Sequence, residues 1–209
     1  MLNKFTMNDL PGQLTNGTEC EYLLILSPDE SVWEKIMEQK KQFAEKYECP
    51  SCLYAKPHIT LAKFTQYPVF EPRILQKMRQ YAHTLTPIDI SLNGFGSFPS
   101  HTIYINVTTR NEIIDTVKGM RDFQSVLKMD KEHKPHFITE PHITLARKLQ
   151  VWQYEKGWSE LQHQHFSAKF RANKMTLLKR RSEGNGYRIV EGFPFMEKRT
   201  TIYQGLLFA

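Results

Sequence analysis

The stretch Pro57-His58-Ile59-Thr60-Leu61-Ala62 is repeated letter for letter as Pro141-His142-Ile143-Thr144-Leu145-Ala146. A basic residue follows each copy, Lys63 in the first and Arg147 in the second. Six identical residues recurring in one chain of 209 mark a duplication rather than a coincidence. A strand alternates its side chains with a period of two, so His58 and Thr60 share one face while Ile59 and Leu61 share the other. The same holds for His142 and Thr144. Two such strands side by side aim two imidazoles and two hydroxyls into one space, a set suited to acid–base work on a phosphate ester. His58 and His142 are 84 positions apart, far more than a solenoid repeat. The spacing predicts a duplicated strand–helix lobe whose two copies close around a shared cleft.

Working outward, Glu21 to Leu26 reads as a buried strand ended by Ser27-Pro28. A helix is expected over 31–47, with Val32, Ile36, Phe43 and Ala44 on one stripe. The first motif strand follows over 58–65, and Pro72 opens a second helix with Ile74, Leu75, Met78 and Ala82. Strands are expected over 88–92 and 102–107, joined by a glycine-containing turn over 93–100. The second half repeats this order: a helix over 112–127, the motif strand over 142–148, and a helix over 152–162. Strands over 166–170, 174–180 and 187–190 follow, with a hairpin turn at 182–186 and a short strand at 201–203. No linker divides the chain, so residues 1–209 read as a single two-lobed domain.

Hydrophobic residues at 40% and aromatics at 12% are enough to pack a core, which argues against disorder. The net charge of +6 favours anionic partners, nucleic acid among them. No stretch approaches the roughly 20 apolar residues of a membrane helix, and the first residues lack a signal peptide's apolar run. Cytoplasmic residence and a monomer are the default expectations. Three cysteines do not make a disulfide framework, and Cys49-Pro50-Ser51-Cys52, following a helix rather than opening one, reads as a passive pair.

An imidazole titrates near pH 6.5, so two of them flanking a phosphorus can divide the work. One takes the proton of the attacking hydroxyl or water while the other protonates the departing ribose oxygen. The threonine hydroxyls two residues on can hold the non-bridging oxygens. No cofactor or metal is required. A zinc site on His58 and His142 is the other chemical option, and it needs more ligands, for which His101, His133 and His136 are candidates. Packing alone explains the isoleucines and leucines but not a histidine in both copies.

On these two His-x-Thr motifs the chain resembles the 2H phosphoesterase superfamily, in particular its 2′-5′ RNA ligase and RNA 2′,3′-cyclic phosphodiesterase group. The stretch His142-Ile143-Thr144-Leu145-Ala146-Arg147 matches the second motif of that group. The resemblance implies an α+β, bilobal fold with antiparallel sheets around a central cleft. It implies metal-free hydrolysis of 2′,3′-cyclic phosphate ends to a 2′-phosphate, with joining or cleavage of 2′-5′ linked RNA in some members. His58, Thr60, His142 and Thr144 are then catalytic. Family analogy makes His58 the acid on the leaving oxygen and His142 the base on water. The partner is RNA or a nucleotide carrying a cyclic phosphate or a 2′-5′ linkage. A nucleotide-specific enzyme, for example on an ADP-ribose cyclic phosphate, and a non-catalytic RNA-binding module are the alternatives. Asn93 to Val107 and Arg171 to Arg180 look like a separate branch of the superfamily.

Around the motifs, Arg147 and Lys63 lie five residues after their histidines. An odd offset puts them on the opposite strand face unless the strand ends or bulges. Arg147 is the stronger phosphate contact of the two. Phe98, Phe95, Tyr54 and Tyr187 lie in segments that edge the cleft and are candidates to stack a base. Lys179-Arg180-Arg181 is the densest basic run and reads as a solvated strand end or an RNA track. His163 and His165 lack a hydroxyl at His-x-Thr spacing. His136-Phe137-Ile138-Thr139 is off by one residue and reads as a decoy in a loop.

Overall fold

The computed structural model describes residues 18–181 and 186–197. The strand expected at 201–203 and nearly all of the turn expected at 182–186 lie outside them. Nine strands are present among the described residues: β1 (Cys20–Leu26), β2 (Ile59–Gln66), β3 (Ile88–Phe98), β4 (Thr102–Val107), β5 (His136–Phe137), β6 (His142–Arg147), β7 (Ser167–Ala172), β8 (Lys174–Arg181) and β9 (Arg188–Pro194). The helices are α1 (Glu30–Lys46), α2 (Glu71–Ala82), α3 (Arg110–Gly119), α4 (Gln124–Leu127) and α5 (Val151–Leu161).

All strand pairings are antiparallel, in the order β7-β3-β4-β6-β2-β1-β8-β9, with β5 against the far end of β2. The α+β, two-lobed expectation is met in a specific way. One half-sheet is β2-β1-β8-β9 and the other is β6-β4-β3-β7. They are joined where the motif strands meet, at the single backbone pair Ile59–Ile143. Each motif strand is the innermost of its half.

The duplication extends to hydrogen-bond register. Ile25 faces Thr60, Leu24 faces Ala62 and Leu23 faces Lys63. In the other half Tyr104 faces Thr144, Ile103 faces Ala146 and Thr102 faces Arg147. In both, the motif leucine is skipped: Leu61 and Leu145 are the extra residues of two equivalent β-bulges. A bulge shifts the alternation by one position. Consecutive residues Leu61 and Ala62 are therefore both buried, as are Leu145 and Ala146. Past the bulge, Lys63 and Arg147 return to the face of the histidines, meeting the condition under which an odd offset reaches the cleft.

The opposite face carries Ile59, Leu61, Ile143 and Leu145, all fully buried in the core. Two of the helices that cover it are exchanged between halves. α1 joins β1 to β2 yet packs on β6 and β7, while α3 joins β4 toward β6 yet packs on β2. The Asp29 side chain caps α1 by accepting the Val32 N–H at 3.0 Å. α1 and α5 approach closely because residue 157 is glycine: a Cβ there would sit 2.7 Å from the Phe43 ring.

Three local readings differ from the sequence expectation. The turn over 93–100 is mostly strand: β3 runs on to Phe98, absorbing Gly94 at φ +65° in a bulge between Leu92 and Phe95. The helix over 112–127 is broken into α3, a 3₁₀ turn at Met120–Phe123 and α4. His136, placed in a loop by its sequence, forms the short strand β5, paired with Lys63. Gly157→Ala is expected to lower stability by about 1–3 kcal/mol through overpacking against Phe43, read as a drop in urea midpoint at unchanged slope.

Candidate active site

The register Ile59–Ile143 places the histidines. Extended by one residue each way, it sets His58 opposite Thr144 and Thr60 opposite His142. All four face away from the core side of Ile59 and Ile143, and all four are partly exposed. The histidines lie on one diagonal of this square and the threonines on the other. A diagonal pair on an antiparallel ladder is separated by roughly 7–8 Å, room for a phosphate group between two imidazoles.

Both imidazoles are held the same way. His58 Nδ1 bonds the Lys56 carbonyl at 2.7 Å, and His142 Nδ1 bonds the Glu140 carbonyl at 2.8 Å. A carbonyl only accepts, so each Nδ1 carries the proton and each Nε2 is left for chemistry. The proline between carbonyl and histidine, Pro57 or Pro141, is buried and stiffens the approach. Burial pushes the His58 pKa down, against the pull of the Lys56 carbonyl, and the charges of Arg147, Lys40 and His142 push it further.

The surroundings of the two histidines are unlike. His142 is lined by Phe98, edge-on with centroids 5.1 Å apart, and by Tyr104 at 4.9 Å. Phe98 is thus where the sequence reading places it. Gly96 lies against this cage, and a Cβ there would be 2.5 Å from the Tyr104 ring. Phe95 instead packs in the core against Phe166. Thr60, on the other half, faces the aliphatic Ile25.

The cations also differ. Lys63 pairs with Glu21 at 2.6 Å, and Arg180 pairs with the same carboxylate at 2.7 Å. The Tyr187 hydroxyl donates to Glu21 as well, with the Arg180 guanidinium 5.0 Å from its ring centroid. Burial and Glu21 raise the Tyr187 pKa, while Arg147 is close enough to oppose them. Lys179 turns to the other face and pairs with Glu71. Arg147 has no carboxylate partner among the described residues. Tyr54 is 83% exposed beyond the turn Pro50–Leu53, with no ring contact to either histidine among the described residues.

Cys49 and Cys52 are joined by a disulfide within that turn, so the pair read as passive is a covalent staple just before β2. Among the described residues no three His, Cys, Asp or Glu side chains converge as a metal-binding group. His101 bonds its own loop at Pro99, and His133 pairs with Asp130. No helix among the described residues is long and apolar enough to cross a membrane.

Three residues escaped the sequence reading. Tyr104 and Asn106 lie on the cleft face of β4, Asn106 opposite His142 with its Nδ2 donating to the Phe95 carbonyl at 2.8 Å. The alternation of Thr102, Tyr104 and Asn106 with Ile103, Ile105 and Val107 carried that signal. Lys40 is 1% exposed on the α1 stripe between Ile36 and Phe43, and Nζ donates to the carbonyls of Leu145 at 2.8 Å and Cys52 at 3.0 Å. A lysine in register with Val32 and Ile36 was the visible clue.

Residues 28–184 match the model of the 2′-5′ RNA ligase superfamily. The chain belongs to that superfamily. A Geobacillus thermodenitrificans protein named "Putative phosphoesterase" is 31% identical over 157 residues, covering 70% of this chain and 81% of that one. A Bacillus pumilus protein of the same name is 26% identical over 132 residues, 62% of this chain and 71% of the relative. Among solved structures, a Thermus thermophilus protein aligns with a TM-score of 0.58 at 18% identity, over 85% of this chain and 99% of that one. LigT of E. coli, crystallised with 3′-AMP, aligns at 0.56 and 14% identity, over 86% and 99%. These likenesses concern the fold, and superfamily membership supports an enzyme of phosphoesterase type.

Burial pushes the Lys40 pKa down to about 8, with the charge of Arg147 adding to it. The unfolded chain holds this proton up to about pH 10.5, so it binds more protons than the fold between the two values. Stability relative to Lys40→Met is therefore expected to rise from pH 8 to 10.5, by up to roughly 3 kcal/mol. Paired urea titrations across that range check it, and a flat difference counts against a buried ammonium.

Proposed function

We propose that this protein is a metal-independent phosphoesterase that opens a 2′,3′-cyclic phosphate at the end of an RNA or on a nucleotide. The observation that carries the reading is the square of His58, Thr144, His142 and Thr60, with both Nε2 atoms left for the substrate. A water attacks phosphorus and gives its proton to one imidazole. The bond from phosphorus to O3′ breaks, and the other imidazole protonates that oxygen, leaving a 2′-phosphate. The Thr60 and Thr144 hydroxyls donate to the non-bridging oxygens, and Arg147 neutralises their charge. With the 5′-hydroxyl of a second strand in place of water, the same path joins two ends through a 2′-5′ linkage.

The charge distribution favours His58 as the base in the resting enzyme. Its lowered pKa keeps Nε2 unprotonated near neutrality, the form a base requires. This reverses the order taken from family analogy. Phe98 and Tyr104 beside His142 then flank the leaving ribose, where a base can stack.

A nucleotide-sized substrate is the second reading. It is favoured by Glu21, which occupies both Lys63 and Arg180 and leaves Arg147 as the cation available to a phosphate at this end of the cleft. A long RNA backbone would call on more free cations.

His58→Ala and His142→Ala are each expected to cut turnover of 2′,3′-cyclic nucleotides by at least about 10²-fold, at unchanged circular dichroism and with EDTA present. Full activity in either variant removes the two-histidine mechanism. A panel of cyclic nucleotides, 2′-5′ dinucleotides and cyclic-phosphate-ended RNA in the same assay separates the two substrate sizes. With His58 as base, the acid limb of kcat/KM is expected to have its midpoint below the ordinary histidine value of about 6.5. A midpoint above it would remove His58 from the base role.

A further inference from the structure

We propose that Lys40 is a positioning residue: its ammonium holds the Leu145 bulge that turns Arg147 into the cleft. This rests on the phosphoesterase reading for its activity arm only. Leu145 is the extra residue of β6, skipped between Thr144 and Ala146 in the ladder with β4. On its other side β6 has already parted from β2, whose pairing with it is limited to Ile59–Ile143. The Leu145 carbonyl therefore needs a donor from elsewhere, and Lys40 Nζ supplies it at 2.8 Å.

The first half shows what the alternative looks like. Its bulged residue, Leu61, has the same gap, and there the carbonyl accepts the backbone N–H of Ile138 at 3.1 Å. The same irregularity is thus pinned by main chain in one half and by a buried side chain in the other. Lys40 also donates to Cys52 in the stapled turn that leads into the His58 strand. One ammonium ties together the approaches to both motifs.

Burying an ammonium among apolar side chains without a carboxylate is unfavourable. Lys40 is in that position, surrounded by the α1 stripe and bonded only to carbonyls among the described residues. A purely structural role on that stripe suits leucine or methionine better. The feature that uses this donor is the bulge, and the residue that the bulge reorients is Arg147. Without the bulge, the period of two carries Arg147 to the core side and away from the phosphate.

The test is a double-mutant cycle of wild type, Lys40→Met, Arg147→Gln and the pair, with folding followed by circular dichroism. Two quantities are read: kcat/KM on a 2′,3′-cyclic nucleotide, and affinity for inorganic phosphate from imidazole NMR shifts. Each single variant is expected to lose roughly 10- to 100-fold in kcat/KM. The pair is expected to lose no more than the worse single, because Lys40 acts through Arg147. Phosphate affinity is expected to follow the same non-additive pattern. Multiplying losses in the pair, wild-type phosphate affinity in Lys40→Met, or no phosphate-dependent shift in wild type would each overturn the proposal. If Lys40→Met does not fold, Lys40→Gln, whose amide keeps a donor but is one bond shorter, takes its place, with a smaller loss and the same non-additive pattern expected. A wild type inactive on cyclic nucleotides would instead remove the functional reading, and the phosphate arm would still decide on Lys40.

Discussion

Everything in the cleft depends on one backbone pair, Ile59 with Ile143. It joins two half-sheets that otherwise touch little through their strands, and it sets which side chains meet across the junction. A slip of one residue would carry one histidine into the core and bring an isoleucine out. Two devices resist that slip. The isoleucines and leucines of both motifs are fully buried, so any shift exposes them. Two helices are exchanged, so α1 and α3 each clasp strands of the opposite half. A short contact is thereby held by a large core, which suits a junction whose other face must stay open to substrate.

The near-symmetry of that junction makes its departures informative. The two imidazoles are oriented by equivalent carbonyls and the two bulges fall on equivalent leucines. Beyond this frame the halves diverge. The side of the cleft around His142 is aromatic, with Phe98 and Tyr104. The other places Ile25 opposite Thr60 and binds its cations to Glu21. A symmetric pair of acid–base groups could run in either sense. In the proposed mechanism, these unequal surroundings are what assigns each imidazole its own role.

Much of this was legible in the sequence. The repeated motif announced the two lobes, the shared cleft and its four polar residues, because period-two alternation is a local rule. The bulges were not: the odd offsets of Lys63 and Arg147 left open whether each strand ends, bulges or runs straight, and Leu-Ala also fits a strand covered on both faces. Lys40 was harder, since a lysine on a stripe looks like an error of phase until its carbonyl partners are seen 105 residues away in β6. Gly94 and Gly96 suggested a turn, whereas one makes a bulge and the other leaves room for Tyr104. Strand order, with β8 beside β1, and the exchange of helices rest on contacts that no window of sequence contains.

That strand order bears on how the chain reaches its native state. β1 leaves the ribosome long before one of its two neighbours, β8. The helix that follows β1 needs β6 and β7 as its floor. The half-sheet built on β1 therefore has no finished core of its own while the rest is being made. Its apolar strands wait for partners some 150 residues downstream. A chain so wired assembles late and as a whole, its two histidines meeting only when most of the fold is already in hand.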